Sequence, residues 1–239
     1  MGLDIYVGSL TRYYAGNWKT ILQQESPYPV TIVRPEPPRQ GWVSRLLDRL
    51  DHKDTDEDSA ALVARWQKQV QQALDMPNLD WNEDPNSEYF TDKPGWDCYG
   101  ALLLWAVYEE FPNAGRRETP EGWEKDPALS TAMQNPEARY PHLTGDTEIW
   151  LPVDFPSPIK ILSVTGDTTG LGSSVQLLRE LSELNERTWR AAEEQVGKWP
   201  YDGSDYEGPL EQSAQFAFSI FHELARRSVN HRLPMKLDY

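Results

Sequence analysis

The segment HELAR (222–226) sets a histidine ahead of a glutamate in a run with helical spacing, which is how a zinc-hydrolase helix opens. That chemistry needs a second histidine four residues on, so that both imidazoles meet one metal. Arg226 stands there instead, and His231 falls about half a turn out of register. No metal site is expected, and His222 reads as a surface or half-buried residue of an amphipathic helix. The run GDTTGLGSS (166–174) leads into a helix as a phosphate cradle would. It lacks the lysine such a loop needs before its serine, and Asp167 would repel an anion. It reads as a turn followed by a helix capped by Ser173 or Ser174.

Cys98 is the one cysteine, so neither an intramolecular disulfide nor a cysteine zinc site can form. Its setting, GWDCYGALLLW (95–105), is apolar, with Asp97 adjacent. Both features disfavour a thiolate, so a buried and unreactive thiol is expected. Of the four histidines, His142 in ARYPHLTGD (138–146) is the best placed for a site, on a loop among aromatics. Triad chemistry needs a histidine beside a nucleophile, and no such pairing is legible. Carboxylate pairs such as Glu109–Glu110 are plentiful, and glycoside hydrolysis needs two that face each other across a cleft, which spacing alone does not give. No cofactor motif is present, and none is expected to bind.

Two groups of residues remain as candidates. A pocket would draw on the first strand and its following loop (Asp4, Tyr6, Arg12, Tyr13 and Tyr14), on Trp96 and Asp97, and on His142. An interface would draw on the segment 75–92, which carries six carboxylates and no Lys or Arg. Within it Asp80, Glu83, Asp84 and Glu88 interleave with Trp81 and Tyr89, so that rings could anchor a partner and acids form the rim.

Formal net charge is −15, and residues 51–150 hold most of the excess of acid. Such a surface repels nucleic acid and anionic membranes, because binding there relies on Lys and Arg displacing counterions from phosphates. The expectation is therefore a basic protein partner, no nucleic acid and no membrane. Oligomeric state is left open. The start lacks a basic region followed by an apolar run, and the longest apolar stretch, YGALLLWAVY, is too short to span a bilayer, so a cytoplasmic protein is expected.

The elements that must position these residues follow from periodicity. LDIYV (3–7) reads as a strand with Leu3, Ile5 and Val7 on one face and Asp4 and Tyr6 on the other. Asn17 reads as the cap of a short helix carrying Trp18, Ile21 and Leu22. YPVTIV (28–33) is a second strand candidate, and 42–50 a short helix. Residues 57–76 show an apolar stripe of Leu62, Trp66, Val70 and Leu74. Residues 96–111 are apolar nearly all round, as a central helix would be. Strands are expected in 148–155 and 159–166, and helices over 175–185, with an extension through Val196, and over 207–230. The five prolines of 112–147 predict a long irregular excursion, with a short helix near 126–134, packed down by Trp123, Tyr140 and Leu143. The sum is an α+β fold: a mainly helical single domain over 1–239 with a small sheet of short strands.

MGLDIYVGSLTRYYAGNW at the start, EIWLPVDF, GSSVQLLRELSELN and WDCYGALLLWAVYEEFP together resemble a group of uncharacterised bacterial proteins beginning MGLDIYVG. The resemblance implies a bacterial source and transfers no catalytic residue. The leading expectation is an acidic cytoplasmic bacterial binding protein, in its most concrete form an immunity-type inhibitor of a basic toxin enzyme. The alternative is a small-molecule enzyme or ligand-binding protein with its pocket at the N-terminal strand and loop.

Overall fold

The computed structural model describes residues 3–26, 56–135, 137–199 and 208–239. The strand expected at 28–33 and the helix expected at 42–50 lie outside these residues. In chain order the elements are β1 (Asp4–Val7), α1 (Leu10–Tyr14), α2 (Ile21–Glu25), α3 (Asp56–Ala73), β2 (Phe90–Asp92), α4 (Trp96–Glu110), a 3₁₀ turn (Trp123–Lys125), α5 (Pro127–Gln134), α6 (Pro141–Thr144), β3 (Ile149–Leu151), β4 (Ile159–Leu162), β5 (Thr168–Ser173), α7 (Ser174–Arg187), α8 (Glu193–Val196), α9 (Leu210–His231) and β6 (Met235–Asp238). The fold is α+β and mainly helical, with one small mixed sheet.

The six strands lie in the order β2-β1-β6-β3-β5-β4, and only β3 and β5 run parallel. One face of the sheet, with Leu3, Ile5, Val7, Trp150, Met235 and Leu237, packs on α4, α7 and α9. α4 is buried along most of its length because ten of its residues from Cys98 to Tyr108 are inaccessible. The opposite face, with Ile149, Leu151 and Leu171, meets Leu10 of α1 and Val63, Trp66 and Val70 of α3 to form a second, smaller core. Among the described residues no helix is long and apolar enough to cross a membrane.

Several elements differ from expectation for identifiable reasons. GDTTGLGSS is not merely a turn: six of its residues form β5, beside β3 in the sheet. Its glycines hide the strand, since glycine carries no β signal. Gly170 is required there, because a Cβ would stand 2.0 Å from the Asp146 carbonyl oxygen. Ser173 does cap α7, its side chain accepting from the Gln176 N–H. Thr20, not Asn17, caps α2, through a reciprocal capping box with Gln23. α7 stops at Arg187 rather than running through Val196. β2, only three residues long, and β6, MKLD, without a β-branched or aromatic residue, have no strand signal in the sequence.

The excursion after α4 is organised by Asp126. Its carboxylate caps α5 through the Ala128 N–H at 2.9 Å, and accepts from the Tyr108 hydroxyl at 2.7 Å and Arg117 Nε at 2.8 Å. Burial alone would raise its pKa, but those donors together hold it below the ordinary value. Trp123, Tyr140 and Leu143 are buried, as their aromatic and aliphatic character requires.

Two tests follow from this packing. A Cβ on Gly100 of α4 would lie 2.2 Å from the Trp123 ring. Gly100→Ala should therefore destabilise the protein by about 1–3 kcal/mol in urea unfolding, despite the helix propensity gained; a stabilised variant would show that Trp123 can move. Glu180 of α7 ties down α6, its two carboxyl oxygens accepting from the N–H groups of His142 at 3.0 Å and Leu143 at 2.9 Å. Burial pushes its pKa from 4.5 up to about 8. The native state then keeps a proton that the unfolded chain has released, so this group's contribution to stability falls as pH rises through that window. The stability difference between wild type and Glu180→Gln should accordingly shift against wild type between about pH 5 and pH 8; a constant difference would refute the assignment.

Candidate functional site

The first strand delivers its second face to a ring cluster. Tyr6 donates its hydroxyl to the Ser9 carbonyl at 3.0 Å, and Ser9 caps α1, accepting from the Arg12 N–H. α1 then carries Arg12, Tyr13 and Tyr14 on one short turn. The Tyr6 ring lies 5.3 Å from Tyr13, 5.0 Å from Trp18 and 6.0 Å from Tyr89, measured between centroids. Arg12 sits over Tyr89 at 4.9 Å and donates through Nε to the Pro85 carbonyl at 2.7 Å. The Tyr13 hydroxyl bonds to the Asp238 carboxylate, and Lys236 lies over its ring. Asp4 is buried directly opposite Asp238 in the β1–β6 register. Burial, above all, raises the pKa of Tyr6 and of Tyr14 well above the ordinary phenol.

Tyr6, Arg12 and Tyr13 thus converge, joined by Trp18 and Tyr89. Tyr14 turns instead towards the smaller core. Trp96 and Asp97 stand at the start of α4, where Trp96 Nε1 donates to Glu124 at 2.7 Å and its ring meets Trp123 and Tyr239. His142 is buried in α6, with the Phe155 ring edge-on to it. The residues expected to line one pocket therefore occupy separate places. Among the described residues no group of His, Cys, Asp and Glu could hold a metal ion. Cys98 is buried, its thiol pushed up to about 11 by burial. His222 is half-buried and stacked on Phe218.

The acidic segment divides into two kinds of carboxylate. Trp81 is buried edge-on to Trp66, and its indole N–H donates to Glu83. Glu83 also accepts from the N–H of Thr11 at 2.9 Å and its hydroxyl at 3.0 Å, at the N-terminus of α1. Burial raises its pKa, against those three donors. Glu83 is thus an anchor of the loop and Trp81 a core residue. Asp80, Asp84 and Glu88 are exposed and Tyr89 is half-buried. Asp84 is held in place by turn bonds, its N–H donating to Asn82 Oδ1 at 3.0 Å and its carboxylate accepting from the Asn86 N–H at 2.9 Å. Asp80 has Arg232 near it at 3.6 Å.

A second acidic surface has no local signature in the sequence. The chain returns through the 3₁₀ turn to the start of α4, bringing Glu121 and Glu124 to Asp97. Burial first, and then repulsion from Glu124 and Glu121, raises the Asp97 pKa. The signal was the broad acidity of 51–150, but the residues involved are scattered along the chain. Among the described residues Asp75, Asp84, Glu88, Asp97, Glu118, Glu121 and Glu124 make no ion pair with Lys or Arg. The arginines 139, 179, 187, 226 and 227 are instead engaged by Glu109, Asp154, Glu183 and Glu223.

A protein-family comparison matches residues 42–237 to the family described as "Putative DNA-mimic protein". No curated protein and no solved structure matches.

Glu83 gives the sharpest test of this architecture. Glu83→Ala strands two donors on Thr11 and the Trp81 indole, so it should cost about 2–4 kcal/mol in chemical unfolding. Asp84→Ala, on the exposed side of the same loop, should cost less than about 1 kcal/mol. Equal costs would show that Glu83 is not the anchor.

Proposed function

We propose that this chain, which belongs to the DNA-mimic family, is an acidic protein whose partner is a DNA-binding protein. This corrects the expectation that nucleic acid has no part in its partnerships. Net charge of −15 does repel DNA itself. The same charge, however, attracts a protein surface shaped to read phosphates, so nucleic acid enters through the partner, as the ligand that this chain imitates.

The observation that carries the reading is the set of exposed carboxylates that, among the described residues, make no ion pair with Lys or Arg: Asp75, Asp84 and Glu88 on the 75–92 loop, and Glu118, Glu121 and Glu124 leading into and within the 3₁₀ turn. A DNA-binding protein positions itself chiefly through Lys and Arg on phosphates. A carboxylate offers such a cation the same charge-assisted, bidentate geometry that phosphate does. Carboxylates already neutralised by neighbouring arginines could not do this. The fixed turn around Asp84 adds preorganisation, which lowers the entropic cost of binding. Occupying the DNA site would inhibit the partner by competition. The immunity-type inhibition expected from the sequence is the case in which that partner is a toxin acting on DNA. A cytoplasmic location fits a partner that works on DNA.

The test is competition. Proteins retained on the immobilised chain should be released by duplex DNA, and their affinity should fall steeply with salt. Neutralising Asp84, Glu88 and Glu121 together as Asn, Gln and Gln should weaken binding by about threefold to 150-fold, at about 0.2–1 kcal/mol for each exposed charge. A retained partner that DNA does not displace, or one indifferent to the triple variant, would overturn the proposal.

A further inference from the structure

His142 of α6 touches both the cap of α7 and the loop 152–158 through its ring. It is buried, with 1% of its surface exposed. Its Nδ1 accepts the Ser173 N–H at 3.0 Å, and its Nε2 lies 3.2 Å from the Pro156 carbonyl. A backbone N–H can only donate, so Nδ1 is unprotonated and Nε2 carries the proton and donates to Pro156. The backbone of His142 is held as well, its N–H by Glu180 and its carbonyl by the Trp150 indole at 2.8 Å. The ring thus bridges the cap of α7 and the loop 152–158. Ser173 reinforces the junction, donating its hydroxyl to the Val153 carbonyl at 2.6 Å while accepting from the Gln176 N–H at 3.1 Å.

We propose that neutral His142 is an acid-sensitive latch: a proton added at Nδ1 sets two donors face to face and breaks the bond to the Ser173 N–H, leaving the loop 152–156 held to α7 by the Ser173 hydroxyl on Val153 and by Gln176 and Arg179 on Asp154, and so loosened at its junction with the α7 cap. That loop supplies Pro152, Val153 and Asp154 to one wall of a cleft of about 520 Å³, whose other wall is Met76 to Asp80 at the beginning of the acidic segment. Opening the latch would loosen the support beside Asp80. The latch stands on backbone geometry and holds whether or not the acidic surface binds a DNA-binding protein.

The charged groups around the ring are few. Asp154 of the loop favours the protonated form, but it is exposed and already paired with Arg179 of α7 at 2.9 Å. α7 also carries Glu180, bound to the His142 N–H, and Glu183 beyond it. β5 offers the Ser173 backbone and no charge, and Glu109 of α4 is taken up by Arg139 and Tyr140. Burial outweighs the Pro156 carbonyl and Asp154, and holds the imidazole below its ordinary value of 6.5. With the folded value below the unfolded one, the latch is fully closed at neutral pH and weakens as pH falls below 6.5. Glu180 contributes a slope of opposite sign, so a site-resolved measurement is needed rather than global stability.

The experiment is a pH titration of the intact chain by ¹⁵N NMR, reading the His142 ring nitrogens together with the amides of Ser173 and residues 153–155. The Nε2–H tautomer is expected at neutral pH, with a ring midpoint below 6.5 and the Ser173 and loop amides moving at that same midpoint. Below it the closed-to-open ratio should fall about tenfold per pH unit. Asp154→Asn should move the shared midpoint lower and keep the transition, and His142→Gln should abolish it. The proposal fails if the ring titrates while those amides stay still, or if their transition survives in His142→Gln. Should that variant not fold, wild type and Asp154→Asn decide the matter alone.

Discussion

β1 is buried on both faces, and much of the molecule follows from that constraint. Leu3, Ile5 and Val7 meet the helices α4 and α9 without difficulty, since apolar surface leaves water there. Asp4 and Tyr6 face the other way and cannot be left to solvent. A buried phenol or carboxyl without a partner would cost more than a typical hydrogen bond contributes. The chain answers by turning at Gly8 and Ser9 and folding α1 back over that face, so that the Tyr6 hydroxyl finds the Ser9 carbonyl. Covering Tyr6 in turn requires Tyr13, Trp18 and Tyr89, and Arg12 closes the cluster from the loop side. The N-terminal aromatics are therefore the lid of a polar strand face, and a small-molecule pocket is not needed to explain them.

What the sequence made legible was what periodicity carries. The stripe of Trp66 and Val70, the all-round apolarity of α4 and the alternation of β1 each have a strong repeating signal. β5 did not, because Gly170 and Gly172 replace the branched residues that announce a strand, and the reason for Gly170 is a close backbone approach visible only in three dimensions. β2 is three residues long, too short to show a period, and β6, MKLD, carries no β-branched or aromatic residue to mark it as a strand. For the site, composition pointed to the 75–92 segment but could not sort its members. Glu83 differs from Asp84 and Glu88 chiefly in which way the chain faces, and it is held there by Thr11, 72 residues away. The gathering of Asp97, Glu121 and Glu124 likewise depends on a return of the chain that no local pattern predicts.

The distribution of arginine shapes the surface as much as the excess of acid does. α7 and α9 carry acids and arginines one turn apart, as in Glu183–Arg187 and Glu223–Arg227, and neutralise themselves locally. The 75–92 segment holds no Lys or Arg of its own. In that segment neighbouring strands and helices offer Arg12 and Arg232, but Arg12 spends its guanidinium on the Pro85 carbonyl and the Tyr89 ring. Arg232 donates to the Asp80 carbonyl at 2.9 Å and also lies 3.6 Å from its carboxylate, so these cations chiefly hold the loop backbone, and among the described residues Asp84 and Glu88 are left without one. The fold fixes the chain beneath the charge and leaves the charge itself outward.

That separation bears on how a protein surface can stand in for a phosphate backbone. Phosphates sit on a covalent scaffold that keeps their spacing whatever binds them. A carboxylate on a long flexible side chain must be ordered on binding, at a cost in entropy. Asp84 avoids part of that cost, being short and held in a turn by Asn82 and Asn86. The turn is itself held from below by Glu83, a half-buried acid whose carboxylate is taken up by Thr11 of α1. Neighbouring carboxylates repel one another, which would splay an unsupported loop. A loop pinned by one half-buried acid so that the exposed acids beside it keep their positions is a physical route from an excess of negative charge to a defined arrangement of it.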